Sequence, residues 1–424
     1  MAGMGKSWPL AGTASVVLAV AAAVAAVTSV PAVAAATPTP PARGTTATTT
    51  APLTATDMAA AAGIARMTND AYGNPMVFDY NKDGISDLLL SRHQLHPAEL
   101  FRGNPDHTFT RVQQLPVADH HYCDSADFNG DGRPDFFCMV GADGGHSNNK
   151  ANQLWLQNRH GGFYLAPGAW GAADPSGRGR DVAAFDANRD GRPDLFLGNG
   201  SSKKFHSQNR LFLNVGQAFV ENTKLTSDPR GGGICVSPAD YNGDGWPDIF
   251  VCGRPNHLYT SVKGVSYTDD AERLGLNTEN DSDAQWGDLN GDGKLDLVTA
   301  SDNKLRVWLR HPGGFTNSYT LNLQAGRNAA IADLDRDGHQ DIYIVQGRVG
   351  GAGPNIPDLL LLGAGNGSTF TKFNGLPQAT SGGGNEVSVI PSFNGRPALV
   401  VTNGADGDRY VTGPRQLIVF HGGG

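Results

Sequence analysis

The chain has 424 residues, with 41 acidic and 33 basic side chains, a formal charge of −8 and four cysteines. It holds no basic run interleaved with aromatics, which argues against nucleic acid as a partner. Beyond residues 1–34 no stretch is apolar over enough length to span a bilayer.

Residues 1–34 read as a signal peptide: Lys6, an Ala/Val-rich core, then Ala32-Val33-Ala34 as a cleavage site. The alternative, a membrane anchor, fits the Ala-rich core less well. Residues 35–52 are rich in Thr, Pro and Ala and are predicted to be a disordered linker. The mature protein is expected to be secreted, with no membrane span after cleavage. Residues 53–424 are expected to form one domain.

That domain repeats one Asp-rich pattern six times. The copies are DYNKDGISD (Asp79, Asn81, Asp83, Asp87), DFNGDGRPD (Asp127, Asn129, Asp131, Asp135) and DANRDGRPD (Asp186, Asn188, Asp190, Asp194). Then follow DYNGDGWPD (Asp240, Asn242, Asp244, Asp248), DLNGDGKLD (Asp288, Asn290, Asp292, Asp296) and DLDRDGHQD (Asp333, Asp335, Asp337, Asp341). Each packs four oxygen-bearing side chains into nine residues. Such carboxylates repel one another unless a hard cation sits between them, and Ca2+ takes about six to eight oxygen ligands with tolerant geometry. Up to six Ca2+ ions are therefore expected, with these side chains as ligands. The loops hold 19 of the 41 acidic residues, so the negative charge speaks of metal and carries no implication of basic partners.

An EF-hand is excluded, because its loop needs a Glu at position 12. That position here is Leu90, Cys138, Leu197, Val251, Thr299 or Ile344. A seventh, damaged copy, Ser392-Phe393-Asn394-Gly395-Arg396-Pro397-Ala398, lacks the first Asp, the Asp-Gly pair and the last Asp. The mean spacing of about 52 residues suits four short strands per unit. After the loops come apolar runs without alternation, such as Leu88-Leu89-Leu90 and Ile249-Phe250-Val251-Cys252. Short runs of that kind read as strands buried on both faces. The expected unit is strand A, Asp loop, strand B, long loop, strand C, tight turn, strand D.

On these residues the chain resembles FG-GAP/VCBS-repeat proteins and is similar to the calcium-loop propeller at the head of integrin alpha chains. The resemblance covers roughly residues 53–424. It implies an all-β, seven-bladed β-propeller with calcium loops between strands A and B of six blades. Unit seven has no strand D before Gly424. Thr56–Ile64 resembles Thr268–Leu276, which trails strand D of unit four, so residues near 53–57 are expected to complete the last blade.

Cys123 and Cys138 lie four before and eleven after their loop's first Asp; Cys235 and Cys252 lie five before and twelve after theirs. Residues of constant index sum face each other in an antiparallel hairpin. Disulfides Cys123–Cys138 and Cys235–Cys252 are expected, on opposite sheet faces; the alternative is two pairs of buried thiols.

Five or six sites before each loop, strand A approaches the central mouth on the rim opposite the Asp loops. His121, Tyr122, Arg180, Asp181, Asp283, Arg327, Asn328 and Glu386 stand there. Convergent ionisable groups at a channel mouth mark a candidate ligand site, against the plainer reading of a solvated rim. No catalytic signature appears. The favoured expectation is a monomeric binding propeller whose ligand is a glycan, a cell-surface polymer or a protein. The alternatives are an extracellular or cell-envelope enzyme (polysaccharide lyase, hydrolase or cyclase) with its site at the same mouth, and a structural module.

Overall fold

The structure is a computed structural model, and it describes residues 51–68, 73–91, 96–141, 151–200, 207–225, 232–277, 281–348, 354–379, 383–404 and 413–423. The predicted leader, and all but the end of the predicted linker, lie outside these residues.

Seven four-stranded antiparallel sheets follow one another along the chain. Blade one is typical, with strands Pro75–Phe78, Asp87–Leu90, Glu99–Gly103 and Phe109–Gln114 paired in that order. Strands A of successive blades lie side by side, and that of blade seven lies beside that of blade one, so the blades form a closed ring.

The continuous apolar runs are explained by this ring. Leu88 and Leu90 pack into the cluster between blades seven and one, whereas Leu89 packs into the cluster between blades one and two. Each strand B is thus core on both faces, and Asp87–Leu90 is buried throughout. Seven apolar clusters occupy the seven blade junctions. Burial at about 25 cal/mol per Å2 makes these junctions the main source of stability.

The Asp loops turn through left-handed backbone at two places. Their fourth residue has positive φ, from 59° at Lys82 to 76° at Gly243, and their sixth is always Gly, as at Gly84 with φ 82°. A Cβ is disfavoured in this region, which explains the invariant sixth glycine of the six copies. The ninth residue of each copy has another task. Asp87, Asp135, Asp194, Asp248, Asp296 and Asp341 are fully buried. Asp194 accepts N–H bonds from Ala187 at 3.0 Å and Asn214 at 2.7 Å, and so ties its loop to the C–D turn. Asp194→Ala leaves two buried donors unsatisfied and is expected to cost about 2–5 kcal/mol. Urea denaturation in chelator checks this, because the tie itself needs no metal.

Blade seven consists of Gly383–Phe393, Arg396–Gly404, Gln416–His421 and, from the other end of the domain, Thr54–Asp57. Thr54 pairs with His421 and Asp57 with Ile418, as expected from the sequence. The damaged loop copy has become a two-residue hairpin turn: Phe393 pairs with Arg396, and Asn394 and Gly395 have φ 54° and 73°. Positive φ at both positions is the turn that matches strand twist, and Asn-Gly is its favoured sequence.

Both expected disulfides form. Cys123–Cys138 faces blade one and Cys235–Cys252 faces blade five, on opposite sheet faces of their blades. No helix of the described residues is long and apolar enough to cross a membrane.

Candidate functional site: the channel mouth and the Asp loops

Strand A enters the ring at the rim opposite the Asp loops. In four blades its pairing shifts there: between His120 and Cys123, Gly179 and Asp181, Gly326 and Asn328, and Gly384 and Glu386. Each shift inserts one extra residue, a bulge that bends the strand and re-aims its side chains. In blades one, four and five the A–B ladder begins only at Pro75, Cys235 and Asp283, past that point.

Three of the expected ligand residues turn out to hold the ring together. Asp181 accepts from Val236 N–H at 2.6 Å, Asp283 from Ala329 N–H at 2.7 Å and Asn328 from Val387 N–H at 3.0 Å. Each donor belongs to strand A of the following blade. Asn74 and Asp124 make the same clamp, to Cys123 at 3.0 Å and Ala184 at 2.8 Å. Sequence reasoning missed these two. Asn74 stands five residues before its loop, like Asp181, Asp283 and Asn328, so aligning that offset finds it. Asp124 stands only three before and follows a bulge, so the offset fails.

Tyr122, Asn328 and Glu386 meet. The Tyr122 hydroxyl donates to Glu386, and Asn328 Nδ2 lies 3.5 Å from the same hydroxyl. These residues come from blades two, six and seven, so the Tyr122 ring stands in the channel itself. Burial raises the Tyr122 hydroxyl well above its ordinary range, and the Glu386 charge adds to this. Burial pushes Glu386 up to about 8; the Tyr122 bond opposes the shift, and Asp283 and Asp181 reinforce it. Asp283 is pushed to about 6, and Asp181 well above the carboxylate range, chiefly by burial.

His121 is buried, contrary to its expected place on an open rim, because the bulge folds it under Arg180. Arg180 Nη1 donates to Gly179 O at 2.8 Å and lies 3.3 Å from His121 Nδ1; His121 Nε2 is 3.7 Å from Asp119. Arg327 is partly exposed, with its Nη1 3.9 Å from Asp302. The mouth thus sets two guanidinium groups beside a buried acidic layer. That arrangement can orient hydroxyls and acidic substituents of a ligand.

Glu386 yields a pH prediction. Its folded pKa, about 8, exceeds its ordinary 4.5, so the folded state binds more protons between those values. Stability must then fall as pH rises through that window. Glu386→Gln keeps an acceptor for Tyr122 and removes the charge. Its melting curve in Ca2+ is expected to depend less on pH between about 5 and 8, with a Tm above the parent's at pH 8. A variant as pH-dependent as the parent refutes the assignment.

The Asp loops are preformed by their own backbone. Asp79 accepts from Asp83 N–H at 3.1 Å and Gly84 N–H at 2.8 Å, and Asn81 accepts from Asp83 N–H at 3.0 Å. In the sixth loop, oxygens of Asp333, Asp335 and Asp341 lie within 4.8 Å of one another. Asp333 Oδ1 is buried there without a hydrogen-bond partner. A buried carboxylate oxygen lacking a donor is costly, and an all-oxygen cluster is the donor set that suits a hard divalent cation. In loops two, three and five a basic side chain at position seven pairs with the fifth aspartate: Arg133 with Asp131, Arg192 with Asp190, and Lys294 with Asp292. These partners are partly exposed, and Arg192 Nε also donates to Asn214 O at 2.7 Å.

A family model described as "FG-GAP-like repeat" matches residues 79–138, 127–197, 199–251 and 288–344, more than half of the chain. No curated protein matches the chain. Among solved structures, the crystal structure of BBS1N in complex with ARL6DN, soaked with lead, is similar at 10% identity with a TM-score of 0.49; the match covers 84% of this chain and 93% of that one.

Proposed function

Since the chain belongs to the FG-GAP-like repeat family and folds as its seven-bladed propeller, we propose that it is a secreted, calcium-braced binding module. Its ligand, a glycan, cell-surface polymer or protein, docks at the mouth opposite the Asp loops. Two disulfides support an oxidising compartment. Ca2+ would be held by the first, third, fifth and ninth side chains of each loop, where it supplies charge neutralisation and rigidity.

The observation that carries the binding reading is the bulge in strands A of four blades. A passive ring needs only regular A–B pairing. Bulges recur beside functional sites because they re-aim side chains. Here they present Arg180 and Arg327 at the mouth.

A glycan array probed with and without Ca2+ tests this reading. Binding by the parent is expected to fall at least tenfold in Arg180→Ala and Arg327→Ala, since a charge-assisted hydrogen bond contributes about 1.5–3 kcal/mol. Tm should stay within about 3 °C, because partly exposed substitutions cost little. Full binding by both variants rejects the mouth. A second reading, polysaccharide cleavage, is favoured only by the buried carboxyls Glu386 and Asp283 at the mouth, both raised chiefly by burial. Turnover of a bound glycan, lost in Glu386→Gln, would establish it.

A further inference from the structure

A second charged cluster lies away from the mouth, on the seam between blades seven and one. Glu99 opens strand C of blade one and is almost wholly buried. Its Oε1 accepts from Arg66 at 2.7 Å, Arg111 at 2.9 Å and Gln114 at 3.3 Å. Its Oε2 accepts from Arg415 at 3.0 Å, and Arg415 is itself 1% exposed. Three guanidiniums therefore share one carboxylate. Burial alone would raise Glu99, yet the arginines hold it at about 2. The carboxylate is ionised, and one of its oxygens is shared by the two half-exposed arginines Arg66 and Arg111.

Arg66 and Arg111 face a cleft. Gly63, Ile64, Phe101 and the three arginines line it together with Glu99. Arg66 and Arg111 are 45% and 50% exposed, whereas Glu99 and Arg415 form the floor. Simple clamping of the seam needs one arginine, and Arg415 already supplies it from blade seven to blade one. Arg66 and Arg111 add charge at the cleft's edge, in a protein whose net charge is −8. A guanidinium carries five donors, and Glu99 occupies one from Arg66 and one from Arg111.

We propose that this cleft is an anion-binding site, taking a carboxylate or sulfate ester between Arg66 and Arg111. Arg415 and Glu99 act as positioning residues: Glu99 spaces the two outer guanidiniums, and Arg415 fixes Glu99. The site stands independently of the mouth, since it rests on different residues of the same rim.

Titration calorimetry on the Ca2+-loaded protein at low ionic strength tests it, with inorganic sulfate, glucuronate, a sulfated monosaccharide and neutral glucose as probes. Saturable binding of one anion per chain is expected, with no response to glucose. The two anion classes, carboxylate and sulfate, are told apart by which probe binds tighter. Arg66→Gln and Arg111→Gln should each weaken binding about tenfold or more, and the double variant should abolish it. Both substitutions lie at half-exposed positions, and unchanged melting of each shows that the fold is intact. Absence of saturable binding by the parent, or undiminished binding by the double variant, overturns the proposal. So does a double variant that melts far below the parent while sulfate fails to raise the parent's Tm, because the cluster is then a clamp.

Discussion

Removal of divalent cations by a chelator is expected to lower the Tm by about 15 °C or more. A site filled at a hundred times its Kd contributes about 2.7 kcal/mol, and several such sites add up to about 10 kcal/mol. The loops also bear structural load. Asp79 and Asn81 fold the turn through backbone bonds, and the buried ninth aspartate ties it to the C–D turn. Without a cation, carboxyl oxygens of Asp333, Asp335 and Asp341 face one another in the sixth loop. Re-addition of Ca2+ should restore the melt; Mg2+ should do so less well, because its octahedral demands suit these irregular loops poorly. A melt unchanged in chelator rejects the metal assignment. Loops two, three and five, each with Arg or Lys on the fifth aspartate, are expected to fill last, and calorimetric Ca2+ titration of the apo protein should resolve two affinity classes.

Deletion of residues 53–64 is expected to unfold the ring or drive it to associate. Thr54–Asp57 supplies the outer strand of blade seven, and its loss bares the edge of Gln416–His421. Open edges recruit other chains. Leu53 and Ala55 pack between blades six and seven, whereas Ala59, Ala62 and Ile64 pack between blades seven and one. One short segment therefore closes two junctions, and Asp57 adds a bond from Leu417 N–H at 3.1 Å. The loss should approach the whole stability of a typical domain, about 5–15 kcal/mol. Ile64→Ala gives a graded measure, with an expected cost of about 2–5 kcal/mol for a fully buried side chain. Size-exclusion chromatography with thermal melts decides the matter. A monomeric deletion variant with the parent's Tm would show that closure does not depend on this strand.

The candidate site was legible in part. The offset of five or six residues before each loop located the mouth, and Tyr122, Asn328 and Glu386 do meet there. The same offset did not reveal that Asp181, Asp283 and Asn328 spend an oxygen on the next blade's backbone. The reason is that an offset reports position along a strand, whereas a clamp depends on the neighbour's register. His121 shows the same gap: one inserted residue in strand A turned it from the rim into the interior.

The sequence alone determined the blade count, the six Asp loops, the closing strand and the two cysteine pairs. The loops, blades and cysteine pairs follow from local periodicity or from pairing within one hairpin, and the closing strand from the likeness of Thr56–Ile64 to the segment that trails strand D of blade four. Only the tertiary structure decided what ring closure brings together. Tyr122 and Glu386 are 264 residues apart, and Glu99 and Arg415 are 316 apart. Such contacts carry no local signature, because they arise from the curvature accumulated over all seven blades.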